Sequence, residues 1–292
     1  MDFSAIGMKI KELRKSLGLS QKDLSKDICT QAQISKIENG DVLPLASTLY
    51  FISQRLGVDI NYFFDLGTTP RLDYIQEVIN QLKQARRNVN YPLIKEIVEA
   101  EEKNPLFAAN KKNLQLLLWH KAIYLFHVHH EEELAHSLID RAIDLTFDMV
   151  WTEREIEILM SKGIFFYENG RYLEAKDIHL SASGHLNDII YLQDETIRSR
   201  LLYNLAKTYT KLENYQESIR LCEEAISVCI EKDLLFLLGE LHYHIGYNYE
   251  LQNQFTLAKA YMNQALDIFH LQKNDRYNDY IRGKIKNFDS SR

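Results

Sequence analysis

Apolar residues recur along almost the whole chain at spacings of three and four, and no stretch keeps the alternation of a half-buried strand. With only four prolines and eleven glycines in 292 residues, that pattern predicts an all-α protein. Near the start, Ser20 stands three residues before Asp23 and Thr30 three before Gln33. Each is a hydroxyl placed to cap a helix, followed by a side chain able to reach back to the free backbone amides. Leu24 and Ile28 give the first of these helices an inward stripe, Ile34 and Ile37 give one to the second, and Gly40 supplies a left-handed stop. Helices this short, with only a residue or so between them, must cross steeply and need cover. Ile10, Leu13 and Leu17 before them and Leu49, Ile52, Leu56 and Phe63 after them are spaced to provide it. The prediction is a five-helix domain with a helix-turn-helix at its centre.

The periodicity breaks at DLGTTPR, residues 65–71, and this break sets the expected boundaries: a first domain at 1–66, a linker at 67–74 and a second domain at 75–292. Beyond it the pattern repeats. Phe126, Phe166, Tyr209 and Tyr249 are separated by 40, 43 and 40 residues, and so are Ala135, Ala175, Ser218 and Ala258, and again Ala142, Ala182, Ala225 and Ala265. Each unit has an aromatic closing one helix, a small residue where the next helix crosses it closely, and a second small residue further along the same face. The pattern resembles the tetratricopeptide repeat, most closely in NLAKTYTKLENYQESIRLCEEA, although the usual period is about 34 residues. A weaker unit is expected at 73–103 and a capping helix in DRYNDYIRGKIKNF. The resemblance implies a right-handed superhelix of about five tetratricopeptide-like helix pairs with a concave wall, the kind of surface that binds extended peptides or partner helices.

Charge changes the picture only when it is divided along the chain. The net charge is -6, yet residues 1–40 hold seven basic residues against five acids. With Ile34 and Ile37 turned inward, Ala32, Ser35, Lys36 and Asn39 point away, and Gln31 and Gln33 sit at the exposed helix start. A small, polar, basic face of this kind suits a major groove, where glutamine can pair with adenine and lysine can reach guanine or phosphate. Gln21 opens the preceding helix and can offer its amide to a phosphate.

Residues 6–64 resemble the lambda-repressor class of helix-turn-helix domain. In that class a glutamine opening the second helix bonds to one opening the recognition helix, the places of Gln21 and Gln31, and Asn39 matches a phosphate-contacting asparagine. ICTQAQISKIENG is one residue shorter in its turn than most of the class. With the repeats added, the chain resembles the PlcR-type branch of the RNPP family of peptide-pheromone-responsive regulators. That resemblance implies a quorum-sensing transcription regulator, a homodimer whose partners are double-stranded DNA and a short signalling peptide.

Tetratricopeptide folds line their inner wall with the first helix of each unit. In the best-matching unit this places Arg200, Tyr203, Asn204, Lys207 and Lys211 on one face, with Tyr167, Tyr243, His244 and Tyr247 from neighbouring units and His120, Lys121 and Tyr124 on the other side. Asparagine can hold a peptide backbone by donating and accepting at once, while Arg and Lys favour a carboxylate. The expected groove has a basic centre and aromatic walls.

HVHHEEELAH, residues 127–136, clusters histidines and glutamates, but they straddle a turn without HExxH spacing, so no metal is expected. No phosphate loop or nucleophile motif is present, so neither enzyme activity nor a cofactor is expected. Cys29, Cys222 and Cys229 form no CxxC pair and indicate neither a disulfide framework nor a zinc site; Cys222 and Cys229, seven apart on one expected helix, read as a pair of buried thiols. The charged N-terminal stretch and the lack of a long apolar run predict a soluble cytoplasmic protein without membrane contact. Two alternatives stay open: a repeat protein that grips a protein partner, and a ligand-independent repressor.

Overall fold

The computed structural model describes residues 3–68, 71–274 and 277–290; Thr69 and Pro70 of the expected linker, and Asp275 and Arg276 of the expected cap, lie outside the described residues. Every regular element among the described residues is helical. In chain order they begin α1 (Phe3–Ser16), α2 (Gln21–Ser25), α3 (Gln31–Glu38), α4 (Ala46–Leu56), α5 (Ile60–Thr68) and α6 (Leu72–Arg87). There follow α7 (Tyr91–Glu101), α8 (Pro105–Ala108), α9 (Lys111–Tyr124), α10 (Glu132–Asp144), α11 (Glu153–Glu168) and α12 (Tyr172–Asn187). The series ends with α13 (Thr196–Lys211), α14 (Tyr215–Glu231), α15 (Leu238–Leu251), α16 (Phe255–Leu271) and α17 (Asn278–Ser290). Two compact units result, residues 1–90 with 103–109, and residues 91–102 with 110–292.

In the first unit, α1 to α5 enclose a core of Ile6, Ile10, Leu24, Ile34, Ile37, Leu49, Ile52, Leu56 and Phe63. Both expected helix starts form. Ser20 and Asp23 make a reciprocal capping box, and the Thr30 hydroxyl accepts the Gln33 amide at 3.1 Å. Two expectations are corrected. Residues 26–30, not a single residue, separate α2 from α3, because Asp27 turns left-handed at φ 59° and carries the half-buried Ile28 in the connection. Leu17 does not cover the helix pair; it is 53% exposed. Gly18 ends α1 at φ 68°, and the turn hands the inward position to Leu19. Close backbone approach also explains Gly7, where a Cβ would stand 2.0 Å from the Ile37 carbonyl oxygen, so only glycine lets α1 lie against the end of α3.

In the second unit, α9/α10, α11/α12, α13/α14 and α15/α16 form antiparallel-neighbour pairs, each pair packed on the next. The helices expected for a weaker unit at 73–103 are α6 and α7; α6 belongs to the first compact unit, and α7 packs against α9. Both columns of small residues are fully buried, Ala135, Ala175, Ser218 and Ala258 in one and Ala142, Ala182, Ala225 and Ala265 in the other. Their missing bulk lets the paired helices approach. The array ends on α17, whose Ile281, Ile285 and Phe288 pack on Met262 and Phe269 of α16.

Candidate functional site

The α3 surface follows from its register. Ile34, Ile37 and Glu38 are buried, leaving Gln31, Ala32, Lys36 and Asn39 exposed and Gln33 and Ser35 half-exposed. Among the described residues, the side chains of Gln31, Gln33, Ser35, Lys36 and Asn39 make no hydrogen bond or ion pair. All are free to meet a ligand.

Beneath this face lies an anchor that the apolar pattern does not announce. Glu38 accepts from Arg14 Nε at 2.5 Å and from Arg14 Nη2 at 2.9 Å, and Arg14 Nη1 donates to the Leu19 carbonyl at 2.7 Å. Gln21 Nε2 donates to the same carboxylate at 2.9 Å. Gln21 therefore fixes α2 to the C-terminal end of α3 through Glu38, not to Gln31. Burial pushes the Glu38 carboxyl up, but the hydrogen bonds from Arg14 and Gln21, with the charge of Arg14, outweigh it and hold the group below its ordinary value. One sequence signal marks Glu38: it lies four residues after Ile34, on the inward face, where a carboxylate needs a buried partner.

In the repeat unit, α13 projects Lys207 between two aromatic rings, its Nζ 4.8 Å from the Tyr167 ring centre and 5.7 Å from that of Tyr203. Burial lowers the pKa of the Lys207 ammonium, with only Glu168 pulling the other way, and no ion-pair partner lies beside it among the described residues. Tyr167, on α11, is itself pushed up to about 12 by burial. Asn204 is half-buried, and its side-chain amide makes no hydrogen bond among the described residues. Tyr243 and Tyr247 on α15 stack with ring centres 6.3 Å apart. Lys284 of α17 extends the stripe, 4.8 Å from the Tyr247 ring centre and 5.6 Å from that of Tyr280, while pairing with Glu250 at 2.6 Å. Tyr280 and Lys284 escaped the sequence-based groove, although their spacing of four puts both on one face of the cap.

The other expected groove residues are placed differently. His244 is buried with Nε2 2.9 Å from Thr210 Oγ1, in a network where the Thr210 hydroxyl donates to Asn248 Oδ1 at 2.8 Å and Asn248 Nδ2 donates to Ser218 Oγ at 3.0 Å. Burial holds this imidazole down to about 4, so it is a neutral tie between α13, α14 and α15 rather than a groove wall. His120, 1% exposed, bonds through Nδ1 to the Leu116 carbonyl at 2.8 Å, and Tyr124 is 4% exposed, because α9 is covered on both sides by α7 and α10. Arg200 spends its charge on Glu157 at 2.8 Å and Asp194 at 3.9 Å, and Lys121 pairs with Glu102 at 2.5 Å. Lys211 is exposed at the end of α13. What converges is therefore Tyr167, Tyr203, Asn204, Lys207, Tyr243 and Tyr247.

Elsewhere, His127 stacks on Tyr91 with ring centres 3.8 Å apart, and burial pushes its imidazole down to about 4. Among the described residues no group of His, Cys, Asp and Glu is arranged to hold a metal, and no helix is long and apolar enough to cross a membrane. Cys222 and Cys229 are buried, and burial raises both thiols.

A helix-turn-helix family matches residues 10–63, and a tetratricopeptide repeat family matches residues 198–269. No curated protein matches the chain. Among solved structures, PlcR of Bacillus thuringiensis in complex with the peptide PapR7 and DNA is 21% identical, with a TM-score of 0.87 over 95% of this chain and 99% of that one. ComR of S. thermophilus, in complex with DNA and its signalling peptide ComS, is 18% identical with a TM-score of 0.66 over 97% of this chain and 99% of that one. Rgg2, an SHP pheromone receptor of Streptococcus dysgalactiae, is 18% identical with a TM-score of 0.63 over the same shares, 97% and 99%. At these identities the likeness is one of fold.

Proposed function

We propose that this chain is a peptide-responsive, quorum-sensing transcription regulator of the RNPP kind. Residues 1–66 read DNA, 67–74 link, and 75–292 bind a short signalling peptide and form the homodimer. Two copies of α3 enter successive major grooves of an inverted-repeat site, with Gln33 reading base edges, Gln31, Ser35 and Lys36 beside it, and Asn39 and the α2 start near phosphates. Ala32 leaves room for the approach. The protein works in the cytoplasm, performs no catalysis and needs no cofactor.

Lys207 carries the peptide half of this assignment. A half-buried ammonium between two tyrosine rings, without a counter-ion among the described residues, is poised for a carboxylate, and Asn204 stands one helical turn away to hold peptide backbone. PlcR and ComR, whose fold this chain has, were each solved with both a peptide and DNA.

Gel-shift titration of the full chain against a genomic fragment library, across a range of salt, tests the DNA half. We expect selected sites with inverted-repeat symmetry and an affinity that falls steeply with salt. Lys36→Ala should reduce the log–log salt slope by about 1, and Gln33→Ala should cost about 1–3 kcal/mol of discrimination at one base pair. Equal affinity for a selected site and its scrambled version would refute the assignment. For the peptide half, Asn204→Ala and Lys207→Glu should each weaken binding of peptides from conditioned medium; undiminished binding in both removes the groove.

A further inference from the structure

The aromatic stripe does not stop at Tyr243. Between α13, α15, α16 and α17 lies a cavity of about 170 Å³ walled by four tyrosines, Tyr203, Tyr243, Tyr277 and Tyr280, and by Phe269. Among the described residues its lining includes one carboxyl, Glu240 in the first turn of α15, and no basic side chain. Glu240 Oε2 is buried and has no hydrogen-bond partner among the described residues. Burial raises the carboxyl, and only its own backbone amide works in the other direction. Glu240 is half-buried as a residue, but a carboxyl oxygen held out of water without a partner is costly unless something meets it.

Aromatic rings and a carboxyl around one small space are what a cation needs. The negative faces of tyrosine attract an ammonium or guanidinium, and the carboxylate neutralises it. The space is large beside the ~30 Å³ that one water takes up in the liquid, which leaves room for such a head on a short alkyl stem. Tyr203 is common to this cavity and to the Lys207 site, so an acid-seeking and a base-seeking position adjoin along one groove.

We infer that the Glu240 cavity is a subsite for a cationic group on the groove's ligand, an ammonium or guanidinium carried by a side chain or an amino terminus. The ligand is then a peptide with both charges, its acid at Lys207 and its base at Glu240, and the order of the two fixes its direction. The identity of the ligand as a peptide rests on the proposed function; the preference of the cavity for a cation does not.

Two measurements on the full chain separate these. The first is calorimetric titration with agmatine, a guanidinium on an aminoalkyl stem, with valerate as the anionic control. Wild type should bind agmatine, and the isosteric Glu240→Gln, with unchanged helicity by circular dichroism, should bind it at least tenfold more weakly, while any valerate bound, at Lys207, is unaffected by Glu240→Gln. Tyr280→Ala should also weaken it, which guards against a folding effect of the first variant. The second is affinity selection from a random hexapeptide library. Wild type should enrich Lys or Arg at one position and lose that enrichment in Glu240→Gln, while Lys207→Glu loses an acidic preference at another. Agmatine binding that is absent, or equal in wild type and Glu240→Gln, overturns the subsite, as do selected peptides with no basic preference. Agmatine bound through Glu240 with no peptide selected at all upholds the cavity and overturns the peptide groove.

Discussion

At the residue scale, Glu38 does the most to decide whether α3 is presented correctly. Removing it leaves the Arg14 guanidinium and the Gln21 amide facing each other in a dry space, and stranding one partner of a buried pair costs about 3–5 kcal/mol. Glu38→Ala should therefore lose that much in the stability of α3, read as faster native-state hydrogen exchange at its amides. Arg14→Met combined with Glu38→Leu, which leaves no charge behind, should recover most of it. The carboxyl also ties this unit to pH. Its folded pKa is held below the ordinary 4.5 by Arg14 and Gln21, so its contribution is complete above that value and is lost as pH falls through the folded pKa. Opening of α3, read as exchange relative to the intrinsic rate of free amides at the same pH, should rise on acidification below about 4.5, the ordinary value, and Glu38→Gln should remove that pH dependence. An α3 that opens no faster in Glu38→Ala would mean that the ion pair is ornamental.

At the element scale, the last helix has two duties. Ile281, Ile285 and Phe288 cover Met262 and Phe269, and Tyr280 and Lys284 complete the aromatic stripe. Stacked repeats depend on their neighbours, so removing α17 exposes the flank of α16. Burial of a large apolar side chain is worth about 1.5–3 kcal/mol, so ending the chain after Lys273 should cost on the order of 5 kcal/mol, seen as a lower denaturation midpoint and as hydrophobic dye binding. The small-residue columns made the helix pairs legible in the sequence, because close crossing forbids bulk at fixed positions whatever the surrounding residues. The groove was only half legible. Tyr, His and Lys at helical spacing name a face, but a first helix packs on neighbours at both sides, and spacing alone does not separate the wall from the core. Hence Lys207 and Tyr203 fall in the groove while His244, His120 and Tyr124 fall in the core. Leu17 failed for a local reason, since Gly18 ends α1 one turn too early for that side chain to point inward. Glu38 carries a sign of its own, a charge in an apolar register, but its partner lies 24 residues away, and no local pattern links the two.

At the scale of the whole molecule, the α3 face and the Lys207 groove belong to different compact units, so under the proposed function regulation takes the form of a coupling free energy between two sites. Such a coupling is reciprocal. If a peptide changes DNA affinity by some factor, the DNA site must change peptide affinity by the same factor, whether the effect is activation or release. Couplings of about 1–3 kcal/mol, roughly 5–150-fold, are typical. A closed cycle of four titrations, of peptide with and without the DNA site and of DNA with and without peptide, should return equal factors. Lys207→Glu puts an acid where the ligand's acid should sit and leaves α3 untouched. It should drive the factor toward one, while peptide-free DNA affinity and its salt slope stay at wild-type values. A loss of peptide-free DNA binding in that variant would instead make Lys207 a structural residue of the repeat array, and the groove would have to be sought elsewhere.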